Sequence, residues 1–217
     1  MRLVIAVAKS GCKNSETGTM NILVIRHGQP HDESETGGEG DPPLSDLGLQ
    51  QAQAIGDLLV QEHIDHVVAS PMVRAHQTAL PLCAHLGIEP ELDDDLKEAG
   101  WQAGAYMRSE ENLDFFKTKI GSDPEYLYRP EGKQKFNERV MRAFTKVRDN
   151  NPGKNVAVFC HGMVTTTFVS TVMNFDPGPS DLHPDYTGLT RVQASASLDM
   201  WTMRSFNETM HLHGLGG

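Results

Sequence analysis

The sequence predicts an α/β fold: a three-layer α/β/α sandwich with a mostly parallel central sheet and an antiparallel C-terminal edge pair. Three short runs rich in apolar residues, at 22–25, 66–69 and 155–160, are separated by longer amphipathic segments, the pattern of strands alternating with helices. Two further runs, roughly at 188–194 and 198–206, are separated by a short Ser-rich turn and are typical of an antiparallel pair.

Composition limits the classes of function. The chain has 217 residues and a net charge of −10, which suits a single α/β domain and opposes binding to nucleic acid or anionic lipid. Any phosphate-bearing partner is therefore expected to be a small molecule held in a local basic pocket. No apolar run approaches the roughly 18 residues that a membrane helix needs. The cysteines are an odd number without metal-type spacing (Cys12, Cys83, Cys160), which favours reduced thiols and a cytoplasmic location.

The predicted domain organisation is simple. Residues 1–19 read as an N-terminal extension that is not native or is poorly ordered, and residues 20–217 as a single domain. Within it, an irregular and aromatic-rich segment at about 99–132 is long enough to be a lid or specificity element. The alternative is a small helical subdomain whose aromatic side chains pack among themselves.

Several helix boundaries can be predicted from local signals. Ser45 is expected to cap one helix, and Ser70 followed by Pro71 predicts the start of the next, with Arg74 in its first turn. Pro81 should kink or split that helix because it lacks a backbone donor. Two later helices are predicted at 133–149 and 163–173 from their apolar stripe and apolar composition, and the acidic stretch 89–97 is expected to be a solvated loop.

The predicted strands end in residues suited to binding an oxyanion. Arg26, His27 and Gly28 follow the first strand, Arg74 comes shortly after the second, and His161 follows the third. Parallel strands bring their carboxyl ends to one sheet edge, where ligands bind in open α/β sheets. Two arginines, two histidines and a helix N-terminus favour phosphate. No carboxylate–histidine spacing of the usual metal-binding types occurs, so no metal is expected.

These residues belong to an ordered set of motifs that resembles the histidine phosphatase superfamily, also called the phosphoglycerate mutase-like family, over about 20–212. The motifs are Arg26-His27-Gly28, Leu44-Ser45-x-x-Gly48 with Gln51-Ala52, Ser70-Pro71 with Arg74-Ala75-x-Gln77-Thr78-Ala79, Glu98, His161-Gly162, and a closing Trp201 with Asn207-x-x-x-His211-Leu212.

The resemblance implies a cofactor-independent phosphomonoesterase that acts on a small phosphorylated metabolite, and it assigns the roles. His27 would be the nucleophile that becomes a phosphohistidine. Arg26, Arg74 and His161 would clamp the non-bridging oxygens, and Glu98 would be the general acid and base. Gly28 would give clearance, and the helix that begins at Gly162 would add backbone N–H donors.

Two alternatives to hydrolysis stay open at this point. A mutase would return the phosphoryl group to a bound intermediate, but the family's mutases carry a longer segment between the acid and the second histidine, with paired arginines that the span from Glu98 to His161 lacks. A silent binding or regulatory module would be expected to have lost His27, Arg74, Glu98 or His161, and all are present.

The sequence also departs from the family's common pattern. Pro30 and Glu33 stand where many members carry a hydroxyl and an amide, and Cys160 replaces the usual serine before His161. We expect Glu33 to point away from the phosphate and Cys160 to be a small buried residue. The substrate and the oligomeric state are not readable from the sequence.

Overall fold

A computed structural model describes residues 19–32, 40–101, 114, 118, 121–175 and 182–215. Strands and helices alternate along most of this chain, as predicted. Their bounds are β1 Thr19–Arg26, α1 Asp46–Val60, β2 His66–Ala69, α2 Val73–Leu86, β3 Glu91–Leu92, α3 Lys133–Asn150, β4 Asn155–Cys160, α4 Gly162–Met173, β5 Leu189–Ser195 and β6 Met200–Glu208. Residues 1–18 and half of the segment predicted to be a lid, mainly 102–113, lie outside the described residues.

The described strands form one six-stranded sheet in the order β3-β2-β4-β1-β5-β6. The first four strands in this order run parallel to one another, and β5 is antiparallel to both β1 and β6. The prediction of a mostly parallel sheet with an antiparallel C-terminal pair is therefore confirmed. Arg26 pairs with Cys160 and Ala69 pairs with Phe159, so β1, β2 and β4 end at the same edge.

Helices cover both faces of the sheet, which confirms the three-layer architecture. Alternate residues of β1 point to opposite faces. Ile22 and Val24 pack with Phe144 of α3 and Phe168 of α4, whose rings stack with centroids 3.7 Å apart. On the other face, Leu23 and Ile25 pack with the apolar residues of α1 and α2 (Ile55, Leu59, Ala79, Leu82). Because β1 is buried on both faces, its sequence is a continuous apolar run.

The predicted start of α2 was wrong, and the helix is not split at Pro81. The helix begins at Val73 with Met72 as its N-cap residue, two residues later than predicted. Ser70 lies just beyond β2, outside the helix, where its Oγ accepts a hydrogen bond from the Met72 N–H at 3.3 Å. Pro81 does not split the helix, which continues to Leu86. The Pro81 ring lies against Gly56 of α1, where a Cβ would meet the proline Cβ at 3.0 Å, so close packing holds the helix together across the missing donor.

The acidic stretch 89–97 is also more structured than predicted. It contains the short strand β3, a 3-10 turn at Asp94–Leu96, and the fully buried Leu96. Its carboxylates pair with cations of α3: Glu91 and Asp93 contact Lys146 Nζ at 2.9 and 3.1 Å. Most side chains of the stretch are acids, some of which pair with cations of α3, and Leu96 is the one that is fully buried. For this reason the sequence of the stretch looks like that of a solvated loop.

Candidate active site

Three neighbouring parallel strands each deliver a buried polar residue to one edge of the sheet. His27 follows β1, Ser70 follows β2 and His161 follows β4, and none is more than 1% exposed. The His27 N–H donates to Cys160 O and the Ser70 N–H to Phe159 O, both at 2.9 Å, so the ladder holds the strand ends in register beyond the last paired residues. The two imidazole rings meet edge to face with centroids 5.1 Å apart.

The His27 ring is held in one tautomer. Its Nδ1 lies 2.8 Å from the backbone oxygen of Gly28, which can only accept, so Nδ1 carries the proton and Nε2 keeps its lone pair. Burial, together with the Arg74 and Arg26 guanidinium groups, holds the pKa of His27 well below its usual range, against the opposing effect of the Gly28 hydrogen bond. The ring is therefore neutral near pH 7.

Arg74 projects from the first turn of α2 toward His27. Its Nε donates to His27 Nε2 at 3.2 Å, and its Nη1 donates to Asp41 at 3.0 Å. The side chain is only 1% exposed, whereas that of Asp41 is 31% exposed. Thr78, one turn later, donates to Arg74 O at 2.6 Å and accepts from Gly28 N at 3.0 Å. This contact fixes the start of α2 against the loop after β1.

Arg26 is the second cation that acts on His27. Its guanidinium lies 4.1 Å over the ring of Tyr186, and its Nη1 donates to Pro184 O at 2.8 Å. A Cβ on Gly162 would lie 3.5 Å from Arg26 Nε, so this cation also lies against the N-terminus of α4. The arrangement puts the two arginines close to one imidazole.

His161 is fixed through one nitrogen. Its Nε2 lies 2.8 Å from Ser70 Oγ, while its buried Nδ1 has no hydrogen-bond partner among the described residues. Burial is the main cause of a pKa well below the usual range of histidine, with further contributions from Arg74, His27, Arg26 and Arg139. A buried nitrogen without a partner beside another imidazole and two cations is suited to hold an oxygen of a bound anion.

Glu98 lies at the N-terminus of α4. One carboxylate oxygen accepts from Ala99 N at 2.9 Å and the other accepts from Met163 N at 3.1 Å. The sulfur of Met72 lies 3.5 Å from Glu98 N and 3.9 Å from Arg74 Nη2, so the acid and this arginine share a neighbour. The structure thus brings Glu98 to the same edge as both histidines.

The residues that depart from the family's pattern have definite positions in two cases. Pro30 forms an isolated antiparallel bridge with Leu44, whose hydrogen bonds come from the flanking His31 N and Ser45 N, so the missing N–H of proline costs nothing there. Cys160 is fully buried, and burial raises the pKa of its thiol to about 12. Glu33 lies outside the described residues.

Gly28 is required for close approach of two backbones. A Cβ at Gly28 would lie 2.7 Å from Gly48 O, and a Cβ at Gly48 would lie 2.0 Å from Gln29 O. Helix α1, capped by Ser45 as predicted, therefore packs directly on the loop that follows His27. Only glycine allows this contact at both positions.

Sequence reasoning missed several residues that contact the site. The sequence indicates Ser70 only as a helix cap and a member of a motif, and it points to no role for Asp41, Thr78 or Tyr186. The position of Ser70 directly after a buried strand, like that of His27 and His161, is the signal that could have identified it. Four further cations of the sequence could meet a second anionic group of the substrate. Of these, Arg129 pairs with Asp123 and is 64% exposed, and Arg108, Lys117 and Lys119 lie outside the described residues.

The fold and the site define a class: an α/β sandwich with two buried histidines and two arginines at the carboxyl ends of parallel strands. The sequence profile of the histidine phosphatase superfamily (branch 1) matches residues 22–209. The chain belongs to this superfamily.

Named relatives agree with this assignment. An uncharacterized phosphatase, PhoE, of Bacillus subtilis is 24% identical over 195 residues, which cover 89% of this chain and 97% of the relative. The phosphoglycerate mutase-like protein 4 of Arabidopsis thaliana is 27% identical over 207 residues, covering 90% and 88%.

Solved structures show the same fold. A phosphoserine phosphatase from Entamoeba histolytica, solved with 3-phosphoglyceric acid, has a TM-score of 0.70 at 21% identity, covering 89% of this chain and 99% of that one. A mycobacterial glucosyl-3-phosphoglycerate phosphatase has a TM-score of 0.68 at 20% identity, covering 87% and 99%.

Proposed function

We propose that this protein is a phosphomonoester hydrolase that acts on a small phosphorylated metabolite through a phosphohistidine on His27. The observation that carries the proposal is the state of the His27 ring: neutral, buried, with its proton on Nδ1 and the lone pair of Nε2 facing the Arg74 guanidinium. A nucleophilic imidazole needs this combination of neutrality and fixed orientation.

In the first step Nε2 of His27 attacks phosphorus, so that an N–P bond forms and the P–O bond to the leaving group breaks. The phosphoryl oxygens take over the Arg74 Nε–H that contacts Nε2 in the free site. Arg26, Arg74 and Nδ1 of His161 then hold the three non-bridging oxygens, where charge accumulates in the transition state. The N-terminus of α4, beginning at Gly162, adds backbone dipoles that favour the anion.

Glu98 is the general acid and base in this proposal. In the first step its proton passes to the leaving oxygen, and in the second its carboxylate takes a proton from the water that attacks phosphorus and releases His27. Its position supports this role because Met163 N, which holds one of its oxygens, follows His161 by two residues.

The substrate class rests on charge and on the relatives. The net charge of −10 opposes binding of large polyanions, and the structural neighbours are named for small phosphomonoesters, phosphoserine and glucosyl-3-phosphoglycerate.

No helix in the described ranges is long and apolar enough to cross a membrane. The thiols of Cys83 and Cys160 are unpaired and buried, which supports the cytoplasmic location proposed from the sequence. The single sheet likewise supports one domain over residues 20–217.

Release of phosphate from a panel of small phosphomonoesters by the wild type, beside His27→Ala, tests the proposal. We expect turnover by the wild type and a covalent, acid-labile label from radioactive substrate that the His27→Ala variant lacks. Equal, negligible release by both proteins would contradict the proposal. Supplying 3-phosphoglycerate with a bisphosphate primer tests the mutase alternative, and isomerisation faster than phosphate release would favour it.

A further inference from the structure

Arg139 of α3 is a cation held almost out of solvent. Its residue exposure is 8%, and its guanidinium donates to five acceptors. Nε and Nη2 bind the two carboxylate oxygens of Glu131 at 2.8 and 2.7 Å. The backbone oxygens that accept from Nη1 and Nη2 are those of Asp95, Lys97 and Glu98, at 2.8, 2.5 and 3.1 Å.

The three carbonyls belong to the segment that carries Glu98. This segment leaves the sheet after β3, turns at Asp94–Leu96, and reaches α4 at Glu98. Asp93 N binds Ala69 O at its start and the Glu98 carboxylate binds Met163 N at its end. Between these two attachments, the bonds to Arg139 fix the backbone on which the Glu98 side chain is carried.

The geometry requires an arginine. A planar guanidinium can bind a carboxylate through two parallel bonds while its remaining N–H groups reach carbonyls on the other side. A lysine has three donors on one atom and cannot span both sides. Glu131, whose side chain is 13% exposed, balances the charge, so the cation can stay buried. The guanidinium also lies over the Phe136 ring, with Cζ 4.6 Å from its centroid.

We infer that Arg139 is a positioning residue for the acid–base chemistry: it acts through Glu98 and holds that carboxyl group where the leaving oxygen departs. The inference rests on the proposed function, in which Glu98 gives its proton to the leaving oxygen while the P–O bond breaks. A displaced Glu98 slows only those reactions whose leaving group needs this proton.

Substrates with different leaving groups therefore distinguish a misplaced Glu98 from a general loss of structure. An alkyl ester such as glycerol phosphate needs a proton on its leaving oxygen, whereas dinitrophenyl phosphate releases a stable phenolate without one. The ratio kcat/KM covers binding and the transfer to His27, provided that this transfer is irreversible when product is removed. Hydrolysis of the phosphoenzyme therefore does not enter the comparison. Loss of overall fold or of the phosphate clamp lowers both reactions together.

The experiment compares Arg139→Lys with Arg142→Lys. Arg142 lies one turn further along α3 and binds the Asp95 carboxylate through two bonds of 2.7 Å. Its side chain is 62% exposed, and within the part of the chain that the structure describes its hydrogen bonds go to Asp95 and not to Glu98. Arg142 is therefore a matched control that binds the same segment. Circular dichroism and melting temperature are recorded for each variant.

For Arg139→Lys we expect kcat/KM to fall about 10- to 100-fold with glycerol phosphate and no more than about 3-fold with dinitrophenyl phosphate, the range of a mispositioned general acid. Arg142→Lys should keep both values within about 2-fold, as expected for an exposed pair. Equal losses with both esters in Arg139→Lys, or none, would overturn the inference. A wild type inactive toward both esters and toward the whole panel of small phosphomonoesters would instead overturn the proposed function.

A double variant gives a second readout. If Arg139 acts through Glu98, adding Arg139→Lys to Glu98→Gln should leave kcat/KM for glycerol phosphate within about 2-fold of that of Glu98→Gln alone, because residues that act as a unit are not additive. A further loss equal to that of the single variant would contradict the inference. If Arg139→Lys does not fold, Glu131→Gln replaces it: this change removes one charge, leaves the three carbonyl contacts available, and should give a smaller loss that is again confined to the alkyl ester.

Discussion

Ser70 Oγ and His161 Nε2 lie 2.8 Å apart although 91 residues separate them in the chain. Both residues are fully buried, and they follow the adjacent strands β2 and β4. Since Met72 N already donates to Ser70 Oγ, the hydroxyl hydrogen can point to Nε2 of His161. In that arrangement the proton of the neutral imidazole is on Nδ1, the nitrogen that we propose faces the phosphoryl oxygen.

Ser70→Ala should therefore reduce catalysis more than its effect on folding explains. We expect kcat/KM to fall about 10- to 100-fold, less than the complete loss of an oxyanion donor, and the free energy of unfolding to fall by about 1–3 kcal/mol because a buried imidazole nitrogen loses its partner. Steady-state kinetics and denaturant unfolding measure the two effects. Ser195→Ala is the control, because Ser195 is also fully buried but lies at the far end of β5. Similar activity in both variants would show that Ser70 does not orient His161.

The stability of the protein should fall in mild acid because of His27 and His161. The pKa values of both are lowered in the folded state from an ordinary value of 6.5. Below that value the unfolded chain binds protons that the folded chain does not, so the free energy of unfolding rises with pH up to about 6.5 and then levels. The slope is about 1.4 kcal/mol per pH unit for each histidine.

Urea unfolding of the wild type and of His27→Gln/His161→Gln, measured from about pH 7.5 to about pH 5.5, checks this slope. The double variant should lose the contribution of both histidines, and its curve should be flatter than that of the wild type. Parallel curves for the two proteins would mean that the histidines titrate alike in the folded and unfolded chains.

Gly28→Ala should disturb the nucleophile through the backbone. The new Cβ would lie 2.7 Å from Gly48 O, and the strain should lower the free energy of unfolding by about 1–3 kcal/mol. Because Gly28 O accepts from His27 Nδ1, kcat should fall as well. Thermal melting and initial rates test the variant against Gly121→Ala, where a Cβ meets nothing within 4 Å. A Gly28→Ala protein as stable and active as Gly121→Ala would contradict the clearance argument.

Tyr186 should affect phosphate binding through Arg26. Its ring lies under the guanidinium at 4.1 Å, an arrangement with a stabilisation of about 1–2 kcal/mol when desolvated. We expect Tyr186→Ala to raise KM about 5- to 30-fold with a smaller change in kcat, while Tyr186→Phe keeps KM within about 2-fold because the ring face remains. If Tyr186→Phe weakens binding as much as Tyr186→Ala does, the phenol hydroxyl is the group that matters.

Much of the fold was predictable because the local signals are strong. The side chains of 22–25 point into the core on both faces of the sheet, so no polar residues alternate with them. The apolar stripe of α3 packs into the core on one of these faces. The start of α2 and the acidic stretch 89–97 were predicted wrongly because their structure depends on partners far away in the chain. Ser70 is held by His161, and the acids of 89–97 by Lys146 and Arg142 of α3.

The sequence by itself determined which residue types could do chemistry: His27, Arg74, Glu98 and His161 are readable from motif order. Only the tertiary structure decided how they are held. His27 Nδ1 is bonded to Gly28 O, His161 Nε2 to Ser70 Oγ, and the backbone oxygen of Glu98 to Arg139. These are contacts of a few ångströms set by sheet register and helix packing, and two of the three join residues more than forty positions apart, where no local pattern can encode them.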